Sequence, residues 1–134
     1  MLLTLSIIIF CVLIEHSARI LLSDFITLSY NTGAAFSILS GSPEIILILS
    51  GGSCAAIIFI CLFMKMNFFA RLGLAIMAGG ALSNFLERII LGHVIDWLPF
   101  PFSFLDINFN IADVEISLGA FIIFISVIKS ERGL

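Results

Sequence analysis

Two carboxylates, Asp96 and Asp113, are the residues of this chain best suited to chemistry. Two carboxyl groups held close together cannot both ionise easily, so they share one proton. One then serves as general base toward a water, and the other as acid toward a carbonyl or leaving amine. Such a pair needs no metal and no nucleophilic side chain. Other catalytic sets are missing from the sequence: there is no Gly-x-Ser-x-Gly, no His-Glu-x-x-His, and no histidine with an obvious serine partner. Cys11, Cys54 and Cys61 each lie in an apolar run without a Cys-x-x-Cys pair, and His16 and His93 are far from each other. Neither disulfides nor zinc is expected, and no cofactor is implied.

Each aspartate also has a plainer reading. Asp113 follows Asn110 by three residues, a capping arrangement that by itself explains both side chains. Asp96, in Val94-Ile-Asp-Trp97, could be an ordinary loop acid. Its large apolar neighbours would, however, raise its pKa unless it found partners. A helix start favours a charged carboxylate at Asp113, so Asp96 is expected to hold the shared proton more often.

Other polar residues stand where lipid would make them costly. Gly80, Asn84 and Arg88 repeat every four residues and share one helix face. They form either a stripe pointing into a site or a packing seam, with Gly79 and Gly80 admitting a neighbouring helix, Asn84 bonding across it and Arg88 reaching the headgroups. Glu15 and Arg19, also four apart, can pair along their helix, as a structural pair or as a brace behind the site.

The elements that must position these residues are apolar helices. Of 134 residues, 61% are hydrophobic and only 11% charged, against about 25% charged in ordinary soluble domains. The natural surroundings of such a surface are lipid. Four spans are predicted, at about residues 2–22, 43–64, 68–90 and 112–128, within one domain. Residues 45–64 carry no charge, enough to cross roughly 30 Å of hydrocarbon at about 1.5 Å per residue. The runs lack the period-two alternation of a membrane barrel. The N-terminus lacks a positive start and a small-residue cleavage site, so it is expected to be a retained first helix.

Lys65 and Arg71 lie between spans two and three, and Lys129 and Arg132 in the tail. These positions predict cytoplasmic termini. The long connections at about 23–42 and 91–111 then face outward, with Asp24, Glu44, Asp96, Asp106, Asp113 and Glu115 at that side. Phe25-Ile-Thr-Leu-Ser-Tyr30 has strand composition before an Asn31-Thr-Gly33 turn signal. Trp97-Leu-Pro-Phe-Pro-Phe102 suits a water–lipid interface. The fold class expected is therefore an all-α membrane protein with a small extracytoplasmic β-like platform. The net charge of −3 says little about partners, and no basic nucleic-acid patch exists.

Four blocks then become specific: Asn31-Thr-Gly-Ala-Ala-Phe-Ser37, Gly79-Gly-Ala-Leu-Ser-Asn-Phe-Leu-Glu-Arg88, Val94-Ile-Asp-Trp97 and Phe109-Asn-Ile-Ala-Asp113. In order and spacing they resemble the lipoprotein signal peptidases, over about residues 14–120. The resemblance implies a bacterial membrane aspartic peptidase that removes signal peptides just before a diacylglyceryl-modified cysteine. It implies Asp96 and Asp113 as the catalytic pair. Asn31, Asn84, Arg88 and Asn110 would line the site, and Gly33, Ala35 and Phe36 would help hold peptide. The implied partners are a lipidated prolipoprotein and membrane lipid, with the enzyme a monomer in the cytoplasmic membrane and its cleft between spans three and four.

The chain departs from the family where Glu15-His-Ser-Ala-Arg19 replaces the usual Asp-Gln-x-x-Lys. Glu87 stands for Asp, Ser83 for Gly and Val114 for Ser, and the stretch from Arg19 to Asn31 is short. Two rivals follow: a relative that binds lipidated peptides without cutting them, and a small proton-coupled transporter subunit using the acids as a relay.

Overall fold

A computed structural model describes residues 1–33, 42–100 and 107–131 of the chain. Four helices dominate it: α1 (Leu2–Leu22), α2 (Pro43–Phe63), α3 (Phe68–Leu91) and α4 (Ile111–Glu131). All four are long and apolar enough to cross a membrane. The predicted spans match to within a few residues, α4 running further at its C-terminal end. Large side chains such as Leu21, Ile48 and Phe121 stand exposed on their outer faces. In water that surface would be unfavourable; in a bilayer it is the wetted side.

The helices start and stop on local signals. Pro43 occupies the first turn of α2, where its missing N–H is no loss. At the other end, Arg71 donates to the carbonyls of Cys61 (2.7 Å) and Met64 (3.1 Å), satisfying the last turn of α2 from the next helix. Asn67 caps α3 by accepting from the Ala70 amide at 2.8 Å. Ser126 of α4 donates to the same Asn67 oxygen at 2.8 Å, so one amide closes the short α2–α3 connection onto α4. Gly92 ends α3 with φ of 78°, a left-handed turn that a side chain would strain.

Helix α3 is the centre of the bundle and packs against the other three. Its buried residues are mostly small: Gly73, Ala75, Ala78, Gly79, Gly80 and Ser83. Lipid gives helices little hydrophobic reason to associate, so close backbone approach through small residues must do it. A methyl group at Gly119 of α4 would lie 2.5 Å from the Gly73 carbonyl oxygen, and one at Gly73 would lie 2.7 Å from the Gly119 oxygen. On the other side, Gly79 is closed by Cys11 and the Ile8 carbonyl of α1. The buried face of α1 is Thr4, Ile8, Cys11 and Glu15, a stripe at helical spacing.

The outer connections form two small antiparallel ladders. Strand β1 (Ser29–Asn31) pairs with β2 (Val94–Asp96), with Ser29 opposite Asp96 and Asn31 opposite Val94. Strand β3 (Leu98–Pro99) pairs with β4 (Asn108–Phe109). The small platform expected from the sequence is present among the described residues. The run from Phe25 was read as strand-like, yet Ser23–Phe25 forms a 3₁₀ turn closing α1, with Ser23 Oγ on the Ile20 carbonyl. Among the described residues pairing begins only at Ser29.

One buried acid lies off this plan. Glu115, on the α1-facing side of α4 near Cys11, is buried, and its Oε2 has no hydrogen-bond partner among the described residues. An unpaired buried polar atom costs about 1–3 kcal/mol. Replacing Glu115 by Leu is therefore expected to raise the unfolding temperature in detergent. Gly119→Ala is expected to lower stability by about 1–3 kcal/mol, because backbone lies on the other side of the gap; thermal unfolding of purified protein measures both.

Candidate active site

Asp96 and Asp113 arrive from different elements. Asp96 ends β2, directly after the turn that closes α3. Asp113 lies in the first turn of α4. Asn110, just before α4, ties the two. Its Oδ1 accepts from the Asp113 amide at 2.9 Å, and its own amide donates to Asp113 Oδ2 at 3.4 Å. Its Nδ2 donates to Asp96 Oδ1 at 3.1 Å and to Asn84 Oδ1 at 3.0 Å. The capping arrangement is thus real, and the same side chain that caps the helix also holds the second aspartate.

The remaining oxygens are taken by further amides. Asn84 of α3 donates to Asp113 Oδ1 at 2.9 Å. Asn31 of β1 donates to Asp96 Oδ2 at 3.0 Å while its Oδ1 accepts from the Gly33 amide at 2.9 Å. Arg88 donates to the Asn84 carbonyl (3.2 Å) and to the Gly33 carbonyl (3.1 Å), joining α3 to the outer segment. It is half-buried in the site wall, not turned out to headgroups. Phe36 lies outside the described residues.

Asp96, Asp113, Asn31, Asn84 and Arg88 all line one cavity of about 950 Å³. Its other walls are mostly apolar, including Leu49 and Ile57 of α2, Phe100, and Ile116 of α4. The cleft was expected between spans three and four. Its lining includes both α3 and α4, and α2 adds a further wall; Gly73 and Gly80 hold α3 against α4 outside the cavity. Gly80 accordingly meets the Ala112 carbonyl and stays out of the cavity, while Asn84 and Arg88 enter it.

Asp96 is only 4% exposed. Burial pushes its carboxyl up to about 6; the Asn31 hydrogen bond opposes this, and the neighbouring Asp113 charge adds to it.

Glu15 and Arg19 do not reach the cavity. Glu15 is buried behind it, with Oε1 accepting from the Trp97 indole N–H at 2.9 Å and Oε2 from the Ile111 amide at 2.8 Å. The Arg19–Glu15 pair forms only loosely, with Nε 3.7 Å from Oε1, while Arg19 Nη2 donates to Glu87. Glu87 in turn accepts from the Ile95 amide at 2.8 Å. Because a guanidinium only donates, His16 Nδ1 must accept from Arg19, which leaves Nε2 to meet Ser83. Trp97, expected at the lipid interface, is 3% exposed and sealed behind the site; its indole N–H needs an acceptor, and Glu15 supplies one.

Sequence reasoning missed Glu87 as a partner and the α2 side of the cavity. An acid inside an apolar span marked Glu87, but α2 offered only hydrophobic and serine positions. A pH test follows from Asp96. Its proton is held more tightly in the folded chain, so it lowers stability as pH rises from about 4 toward 6, and not beyond. That slope in unfolding temperature against pH is expected in the wild type and lost in Asp96→Asn.

Comparison with known proteins shows the family. The signal peptidase (SPase) II family model matches residues 3–129. The lipoprotein signal peptidase of Nostoc punctiforme is 40% identical over 103 residues, covering 76% of this chain and 63% of that protein's length. The one from Pseudomonas aeruginosa is 33% identical over 120 residues, covering 80% and 68%. That of Francisella tularensis subsp. novicida is 37% identical over 119 residues, covering 82% and 74%. A bacterial membrane enzyme structure obtained by the in meso method at 2.3 Å superposes with a TM-score of 0.82 at 26% identity, covering 97% of this chain and 90% of that one. The match runs through all four helices and every block that builds the cavity wall, and the chain belongs to the signal peptidase II family.

Proposed function

We propose that this chain is an aspartic endopeptidase that removes the signal peptide from diacylglyceryl-modified prolipoproteins, with Asp96 and Asp113 activating the attacking water. The observation that carries this reading is the junction at Asn110. One amide side chain bonds Asp96 and the backbone amide of Asp113, at the wall of one cavity. A carboxyl pair held this way can share a single proton. The ionised member takes a proton from water as it attacks the scissile carbonyl. The protonated member stabilises the developing oxyanion and then passes its proton to the leaving amine. Asp96, buried and raised, suits the protonated role.

The cavity suits such a substrate. It is apolar over most of its lining, with carboxylates, amides and Arg88 in one part. An acyl-modified cysteine and an apolar signal segment bury well on the first, while the peptide bond meets the second. Lys65 in the short α2–α3 connection, Arg71 near the start of α3 and Lys129 at the end of α4 favour a cytoplasmic position for that side. The aspartates then face the extracytoplasmic leaflet of the inner membrane, the N- and C-termini are cytoplasmic, and one copy forms the whole site.

The test is to incubate purified protein with a lipidated prolipoprotein and follow the shortened product. Wild type is expected to cleave. Asp96→Asn and Asp113→Asn are each expected to lose on the order of 1,000-fold in kcat. Absence of product from wild type sinks the enzyme reading and favours a binding-only relative; undiminished product from both variants sinks the aspartate mechanism. The pH profile adds a sign: if Asp96 supplies the proton, kcat/KM falls as pH rises through about 6.

A further inference from the structure

The carboxylate of Glu15 reaches both segments that carry the aspartates. Its Oε1 accepts from the indole of Trp97, the residue after Asp96. Its Oε2 accepts from the amide of Ile111, at the first turn of α4, two residues before Asp113. Glu15 is 2% exposed and Trp97 3%, so neither contact is a surface accident. Neither Glu15 nor Trp97 lines the cavity.

We infer that Glu15 and Trp97 form a positioning clamp: one carboxylate from α1 sets the spacing between the Asp96 strand end and the Asp113 helix start. This rests on the peptidase reading above. The chemistry favours a clamp over a simple ion pair. Both contacts are donors meeting one two-oxygen acceptor, and Arg19 approaches Glu15 only at 3.7 Å. The other side of Asp96 has its own holder, since Glu87 takes the Ile95 amide. The strand end is thus fixed on both sides by acids of α1 and α3, while α4 is fixed by Glu15 at Ile111. A catalytic pair displaced by about 1 Å loses on the order of 100-fold in rate, so the holder of that spacing controls kcat more than substrate binding.

The acceptor count gives a test. Glutamine at position 15 has one acceptor oxygen and one donor NH₂, so it satisfies one N–H and opposes the other. Glu15→Gln is expected to lower kcat about 10- to 100-fold with KM within about twofold of wild type. Trp97→Phe removes one donor and is expected to lower kcat only several-fold. The double variant Glu15→Gln with Trp97→Phe leaves one acceptor facing one donor, and is expected to recover most of the activity lost in Glu15→Gln. A role as counter-charge to Arg19, or in general folding, predicts no such recovery. The assay is cleavage of a lipidated prolipoprotein with kcat and KM measured separately, on variants whose unfolding temperature is recorded. Wild-type kcat in Glu15→Gln, or a double variant no better than that single one, overturns the clamp and leaves the peptidase reading standing. Should Glu15→Gln fail to fold, Trp97→Phe decides alone: reduced kcat at unchanged KM supports the clamp, and wild-type kcat overturns it. A wild type that cleaves nothing removes both readings.

Discussion

In hydrocarbon a polar side chain has no water to fall back on, so every polar group drawn below the headgroups must find its partner within the protein. This constraint governs how the chain is built. Most of its buried polar groups gather into one set between α1, α3, the β1–β2 ladder and the start of α4, and Glu115 is the acid left outside it. Asn31, Asn84 and Asn110 serve the aspartates, Glu15 and Glu87 hold backbone amides around them, and Arg19 bonds Glu87 from behind. Away from that set α3 meets its neighbours largely through glycine and alanine, which carry nothing that needs a partner, and the α2–α3 end is closed by Arg71, Asn67 and Ser126.

The two parts of the network differ in chemistry. A cation bonded directly to Asp96 or Asp113 would favour full ionisation and work against a shared proton. The hydrogen bonds that reach these carboxylates come instead from neutral amides and a backbone amide, which supply donors without a full charge. The cation closest to them, Arg88, spends its hydrogen bonds on two backbone carbonyls. Arg19 sits behind with the glutamates. Amides thus lie in front of the aspartates and ion pairs behind them.

Much of this was legible in the sequence, for physical reasons. Long uncharged runs define spans because the bilayer sets a minimum length, and polar residues inside such runs stand out because lipid penalises them. Asp96, Asp113, Asn84 and Arg88 were visible on that ground. The capping spacing of Asn110 and Asp113 was visible too, but spacing along a chain cannot reveal that the cap also bonds a carboxylate fourteen residues earlier. Trp97 misled for a similar reason. Tryptophan commonly partitions to interfaces, and only the three-dimensional approach of α1 shows that a buried acceptor awaits its indole N–H. The α2 wall was illegible because Leu49 and Ile57 look the same whether they face lipid or a cleft.

Trp97 is the only tryptophan in the chain. Its indole is buried, bonded to Glu15, and one residue from Asp96. Excited at long wavelength, the molecule has therefore one dominant emitter, placed by its own fold at the back of the aspartate pair. The ultraviolet glow of the intact, unlabelled protein thus reports on a single spot, and that spot lies where the two halves of the site meet.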